Sequence, residues 1–432
     1  MSKKSIIIIM SLTFLIALSV CAKEYELTFK AVHPASRAFY MAGQNLQALS
    51  KPEEELSAIP ELKSRIPIYI SVALGNVIGK YTLILDETNG TGTGYNVLYV
   101  DSNNNKDLTD DSVIPLYINS ETKQFGPIEV MIKYDDVVEP YYFYLEYQKI
   151  DTLVLNENSN LYNNIYLRLV PGGYYTGIAK IGNSTYMIGA VDFNGNGIFD
   201  EPFNVKPEIK SPDGRLYAIG DKIQMAVGVR REISDFDFYP YSKYIQIGGK
   251  WYSVNIASDG RMMEINEADL DLGTLRVPYQ LNSIQLVSEN GIMTIDSRNI
   301  LDPKGKITYE YEIPTGNYKI FAYIMQTNLA REKWYFNASG TESVEQFSIE
   351  NGKTLDLKLG VPFAVNISCF PLNGSNNSIK AGDTVLLSLF FSGRANEVFT
   401  LIGVSSKQLP RPVFKAVDEN GEVVAKGTFE YG

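Results

Sequence analysis

Lys250-Trp251-Tyr252-Ser253-Val254-Asn255-Ile256, followed closely by Asp259-Gly260, decides the fold class. Tyr252, Val254 and Ile256 share one parity and Ser253 and Asn255 the other, the period-two pattern of a half-buried strand. Asp-Gly then supplies a residue pair for which φ > 0 costs little, so the chain can reverse as a hairpin. Working outward, the same grammar recurs. Asn-Gly or Asp-Gly pairs begin at Asn89, Asp213, Asp259, Asn290, Asn351, Asn373 and Asn420, and runs of Val, Ile, Tyr, Phe and Thr lie between them. The expectation is an all-β chain of consecutive sandwich-like units with little helix. One short helix is expected after Ser50, where Ser50 and Glu53 have capping-box spacing, Pro52 suits a first turn and Pro60 ends the run.

The chain has 432 residues, 45% hydrophobic and 12% aromatic, enough to bury several cores. With 39 basic against 50 acidic residues the formal net charge is −11, which argues against nucleic-acid binding. A single histidine, His33, excludes multi-histidine metal sites and leaves one candidate base for nucleophilic catalysis. No Gly-x-Ser-x-Gly elbow, phosphate loop, dinucleotide motif or Cys-x-x-Cys pair occurs. The acidic and aromatic stretch Asp235-Phe236-Asp237-Phe238-Tyr239 has a composition seen in glycan sites, but a pair of carboxylates two residues apart is expected by chance at this acidity. The expectation is a protein that is not an enzyme.

Lys3 and Lys4 precede an apolar run from Ile6 to Val20, interrupted by Ser11, Thr13 and Ser19, which reads as a secretory signal covering residues 1–22. Val20 and Ala22 suit a signal-peptidase site. Leu18-Ser19-Val20-Cys21 also resembles a bacterial lipobox, which would lipidate Cys21 and tether the chain to a membrane, although Val20 stands where that pattern prefers a small residue. Cys369 alternates in step with Val365 and Ile367 and reads as a small buried hydrophobe. Four units are expected after the signal, at 23–135, 136–270, 271–360 and 361–432.

A repeat at an offset of 91 residues relates the first two units: Tyr95 with Val100-Asp101, and Tyr186 with Val191-Asp192, each followed by an Asn-rich loop. The first loop, Asp101 to Asp111, has oxygen side chains at positions 1, 3, 5 and 7 in Asp101, Asn103, Asn105 and Asp107, then Leu108 at position 8. The second places Asp192, Asn194 and Asn196 at positions 1, 3 and 5, Gly197 at position 6, Ile198 as a carbonyl donor and Phe199 at position 8. These segments resemble EF-hand or dockerin calcium loops, in which oxygens spaced by two converge on one hard cation. The resemblance implies calcium as cofactor. Position 12 holds Ser112 and Phe203 instead of a bidentate Glu, so Asp110 or Asp111, and Asp200 or Glu201, are expected to close the coordination. The plain alternative is an Asn/Asp-rich turn that caps its own backbone.

Glu312-Ile313-Pro314-Thr315-Gly316-Asn317-Tyr318 resembles the Pro-x-Gly-x-Tyr stretch of transthyretin-like and carboxypeptidase-regulatory-like β-sandwich modules, and the resemblance implies a turn followed by an inward-facing strand. The last unit is expected as an immunoglobulin-like domain. Tyr141, Tyr142, Phe143, Tyr144 and Tyr147 offer either a packed strand or an aromatic surface for sugars. The functional expectation is an exported, calcium-stabilised surface or periplasmic protein for adhesion, envelope assembly or ligand binding to a protein or glycan; the alternative is a carbohydrate-binding or carbohydrate-processing protein.

Overall fold

The computed structural model describes residues 23–32, 42–76, 79–92, 94–118, 123–149, 165–209, 211, 214–229, 237–279, 281–296, 309–329, 332–371, 379, 384–405 and 409–430. The expected signal, Cys21, His33, Asp235 and Phe236 lie outside them. The described residues contain no α-helix and 32 strands, so the chain is all-β.

The first large sheet is an antiparallel meander. In spatial order its strands are Gln44–Leu46, Ile165–Pro171, Val137–Lys149, Lys123–Tyr134, Ile114–Ile118, Val97–Val100, Tyr81–Asp86 and Ile68–Val72. Leu49, three residues past the strand Gln44–Leu46, and Tyr69 in the strand at the other end exchange main-chain hydrogen bonds at 2.9 and 3.0 Å, which closes the sheet into an eight-stranded barrel. Alternate residues fill its interior, among them Ile68, Ile70, Leu83, Leu85, Leu98, Phe125, Ile128, Val130, Phe143, Leu145 and Leu169. Between Phe125 and Ile128 the ladder shifts register over Gly126-Pro127, where the proline has no N–H to give and the strand bends as a bulge.

Beside the barrel lies a five-stranded sheet in the order Phe238–Pro240, Lys222–Val227, Ser184–Val191, Gly173–Ile181, Thr28–Ala31, and a four-stranded sheet of Glu24–Glu26, Met262–Glu267, Lys250–Ile256 and Tyr244–Ile247. Both contribute to the barrel's core. The strand Lys250–Ile256 is apolar on two sides: Tyr252, Val254 and Ile256 enter that core, while Trp251 enters a second one and donates its indole N–H to the Glu312 carbonyl at 3.2 Å. The second core is built on the sheet that runs Gly291–Asp296, Leu281–Ser288, Gly316–Leu329, Glu332–Ser339, Val398–Val404, Val385–Ser392, Ala364–Pro371.

The structure departs from several expectations. The boundary at 135/136 falls on the turn of the hairpin formed by Lys123–Tyr134 and Val137–Lys149, so one sheet spans it. Strands after residue 361 extend the second large sheet instead of making a separate immunoglobulin-like sandwich, and Val413–Val417 with Val423–Thr428 stand apart as a two-stranded sheet. Residues 51–60 form no helix. Glu53 pairs with Lys80 at 2.5 Å, Glu54 pairs with Lys106 at 2.6 Å, and Ala58 bridges Asp107, so tertiary ion pairs and a β-bridge claim the groups a capped turn would have used. Cys369 is exposed because its strand ends the sheet and the face it shares with Val365 and Ile367 is uncovered among the described residues.

Other expectations match local geometry. Gly90, Gly214, Gly260, Gly291, Gly352 and Gly421, from six of the seven Asn-Gly and Asp-Gly pairs outside the two Asn-rich loops, have φ between 66° and 99°, as reversing turns require. Tyr318 and Ile320 are buried, and the Tyr318 hydroxyl donates to the Pro314 carbonyl at 2.8 Å across the turn. Tyr141, Phe143, Leu145 and Tyr147 are core residues, whereas Tyr142, whose ring centre lies 5.1 Å from that of Phe29, and Tyr144 are half-buried on the other face.

Two substitutions test this packing. Phe143→Ala leaves a void in the barrel and is expected to cost about 3–5 kcal/mol in denaturant unfolding. Glu87 is buried; burial pushes its carboxyl up, but hydrogen bonds from Thr91, Ser64 and the Gly92 and Thr91 main chain outweigh that and hold it at about 2. Its stabilisation is complete above the ordinary value of 4.5 and is lost as pH falls from there toward 2. Glu87→Gln should therefore flatten the acid limb of the stability profile between those values, whereas an unchanged slope would show that other groups set it.

Candidate metal centres

Each Asn-rich loop leaves the end of a strand, Val97–Val100 for the first and Ser184–Val191 for the second. Each opens on an aspartate with 0% exposure. Asp101 accepts the N–H groups of Asn105 at 2.9 Å and Lys106 at 3.0 Å. Asp192 accepts those of Gly195 at 2.6 Å, Asn196 at 3.1 Å and Gly197 at 2.7 Å, together with the Tyr141 hydroxyl at 2.6 Å. The next two members also correspond. Asn103 and Asn194 each accept the N–H two residues on at 3.0 Å, and Asn105 and Asn196 do the same for Asp107 at 2.8 Å and Ile198 at 2.9 Å.

These bonds require the same backbone path. Position 4 has φ = 57° at Asn104 and 74° at Gly195; position 6 has φ = 71° at Lys106 and 80° at Gly197. Asn tolerates the left-handed region, but Lys106 is there against its own preference, held by Glu54 and by bonds from its ammonium to the Lys80 carbonyl and Asn104. At position 8 Leu108 and Phe199 are buried, at 1% and 2% exposure, and anchor the exits.

The carboxylates that close the loops are at position 10. Asp110 accepts the Asn105 side-chain amide at 2.9 Å, and Glu201 accepts the amides of Asn194 and Asn196 at 2.6 Å each. Asp111 instead takes the hydroxyl of Ser102 within the first loop, with its other oxygen buried and without a hydrogen-bond partner, whereas Asp200 takes the hydroxyl of Ser258, outside the second loop, at 2.8 Å. Asp107 is also turned outward, onto the N–H and hydroxyl of Thr109. Among the described residues no three His, Cys, Asp or Glu side chains gather closely enough to hold a metal. A cation in either loop would therefore rest on amide and main-chain oxygens with few carboxylates, which is chemistry that calcium accepts.

Asp221, one of 50 acidic residues and marked out by no motif or spacing, braces the second loop. Fully buried, it accepts the Phe193 N–H at 3.2 Å and the Glu201 N–H at 2.9 Å, one at each end of the loop. Burial pushes the carboxyls of both Asp192 and Asp221 up, and for Asp221 the nearby charges of Asp192 and Glu201 push the same way. Hydrogen bonds from Tyr141 and the loop N–H groups oppose the rise at Asp192.

The second loop also fastens the barrel. Its carbonyls at Phe193, Gly195, Asn196 and Gly197 accept from the Gly43 N–H, the Gln44 amide, the Gly75 N–H and the Tyr134 hydroxyl, at 2.8, 2.8, 2.7 and 2.6 Å. No family model, curated protein or solved structure matches the chain.

Close approach at Gly197 can be separated from its backbone angle. A Cβ there would meet Ile132 Cδ1 at 2.5 Å, whereas Gly249 has the same φ of 80° and open space around it. Gly249→Ala should cost about 1–2 kcal/mol for conformation alone, and Gly197→Ala a further ~1–3 kcal/mol for overpacking. Equal losses in denaturant titrations would mean that the loop is not pressed against the barrel.

Proposed function

We propose that the chain is an exported β protein whose two matched loops bind calcium structurally, and that it works at a bacterial surface or in the periplasm in adhesion, envelope assembly or ligand binding. One observation carries the calcium reading: loops 91 residues apart follow the same path, with left-handed residues at positions 4 and 6, a buried aspartate at position 1 and a carboxylate at position 10. A turn needed only to reverse a strand would not have to keep all four features twice.

The donor set fits a hard cation. Asn194, Asn196 and Glu201 already converge, and rotation of an amide by half a turn exchanges its nitrogen for its oxygen. Asp101, with one N–H on each carboxylate oxygen, retains lone pairs for a metal. Calcium held here would order the loops and stabilise the folded chain without opening any helix pair, so the role is structural and not that of a sensor. Export rests on Lys3, Lys4 and the apolar run that follows them.

Thermal unfolding in calcium, in magnesium and in chelator tests this. At a hundredfold excess over Kd a single site adds about 2.7 kcal/mol, so calcium should raise Tm by several degrees, with magnesium weaker because it demands stricter geometry. Asp110→Asn and Glu201→Gln should each remove part of the rise. Coincident curves in all three solutions would overturn the calcium reading.

A further inference from the structure

The chain leaving the second loop runs directly against the second large sheet. Glu201, whose carboxylate takes the two loop amides, is bonded twice to Asp221. Its N–H donates to the Asp221 carboxylate and its carbonyl accepts the Asp221 N–H, each at 2.9 Å. Two residues on, the Phe203 N–H donates to the Tyr241 carbonyl and the Phe203 carbonyl accepts the Ile292 N–H, both at 2.8 Å. Tyr241 closes the circuit by donating its own N–H to the Asp221 carbonyl at 2.8 Å. Ile292 is fully buried in Gly291–Asp296, the strand at one end of the second sheet.

This joint is close-packed. The rings of Phe193, at position 2 of the loop, and Phe203, just past its end, have centres 6.2 Å apart. A Cβ at Gly291 would meet the Tyr241 carbonyl oxygen at 3.1 Å and Pro202 Cβ at 3.2 Å, which leaves little room for a side chain between the strand and the loop exit. Beside them the Ser242 hydroxyl and the Lys243 N–H both donate to the Asn290 carbonyl, at 3.1 and 3.0 Å. The first loop has a different setting. Its main chain bonds to Met131 in the barrel and to Ser57 and Ala58, and to no residue of the second sheet among the described residues.

We infer that cation binding in the second loop, and not in the first, is transmitted to the second sheet through Glu201, Phe203 and Ile292. The inference rests on the calcium reading of that loop and adds a mechanical consequence to it. A cation held by Glu201 and the amides of Asn194 and Asn196 fixes the residue that bonds to Asp221, and Asp221 and Phe203 share Tyr241 as their partner. Opening the loop therefore releases the Ile292 N–H as well, and a ligand that binds only the closed form disfavours both events equally. Trp251 joins the two cores through Glu312 without a bond to the loop, so the cores stay in contact without calcium and the cation stiffens one side of that contact.

Amide hydrogen exchange of the whole protein in calcium and in chelator, read residue by residue, tests this. At a hundredfold excess over Kd, exchange through loop opening slows about a hundredfold. That factor should appear at Gly195 and Gly197 in the loop and equally at Phe203 and Ile292, with Tyr323, on Gly316–Leu329 in the middle of the second sheet, unchanged. Asp110→Asn, in the first loop, should leave the response of Ile292 intact, and Glu201→Gln should reduce it together with that of Gly197. Slowing at Gly195 and Gly197 without slowing at Ile292 would overturn the inference and leave the calcium reading standing. Equal slowing at Tyr323, which would make the effect global, overturns it too, as does loss of the Ile292 response in Asp110→Asn. No slowing in either loop removes calcium itself, and the inference with it.

Discussion

Four carbonyls of one loop, those of Phe193, Gly195, Asn196 and Gly197, are tied to the barrel, while the buried Asp192 carboxylate turns N–H groups of the same loop inward. The arrangement of the N-terminal half depends on this division of labour. A peptide group in a buried loop must find partners for both its donor and its acceptor. Here the donors of Gly195, Asn196 and Gly197 go to Asp192 and that of Phe193 to Asp221, while the acceptors go to the barrel, so the loop works as a rivet between the barrel and the five-stranded sheet. Gly195 and Gly197 serve twice over, giving the left-handed backbone and the space for barrel atoms to approach.

Two carboxylates buried in that rivet create an electrostatic problem. Asp192 is partly relieved by four hydrogen bonds, but Asp221 lies close enough for the two charges to oppose each other, and Glu201 adds a third. A cation held between the amides and Glu201 would offset this repulsion where it is least screened. The first loop carries the same path with a different solution at position 6. There the ammonium of Lys106 is a resident positive charge, paired with Glu54, and the strained residue is retained by its side chain instead of being replaced by glycine.

Much of this was legible because local rules and tertiary structure agree. Parity placed Tyr252, Val254 and Ile256 inward, Asn-Gly and Asp-Gly marked left-handed turns, and the offset repeat matched two loops down to Leu108 and Phe199. What escaped depends on contacts distant in the chain. Closure of the barrel rests on a single bridge between Leu49 and Tyr69, which no periodicity announces. Glu53 and Glu54 look like a helix start until Lys80 and Lys106 arrive from other strands. Asp110 and Asp111, or Asp200 and Glu201, are equivalent by spacing and are separated only by the serines that claim Asp111 and Asp200. Cys369 alternates like a core residue because its strand is apolar, yet a strand at a sheet's end need not have a covered side.

The central claim is that both loops hold calcium, and tyrosine-sensitised terbium luminescence tests it most directly, since Tyr141 donates to Asp192 and Tyr134 to the Gly197 carbonyl. The account predicts emission on tyrosine excitation that saturates at two ions per chain, is reversed by calcium, and saturates at one ion in Glu201→Gln. An absence of sensitised emission, or emission that calcium does not displace, would contradict it.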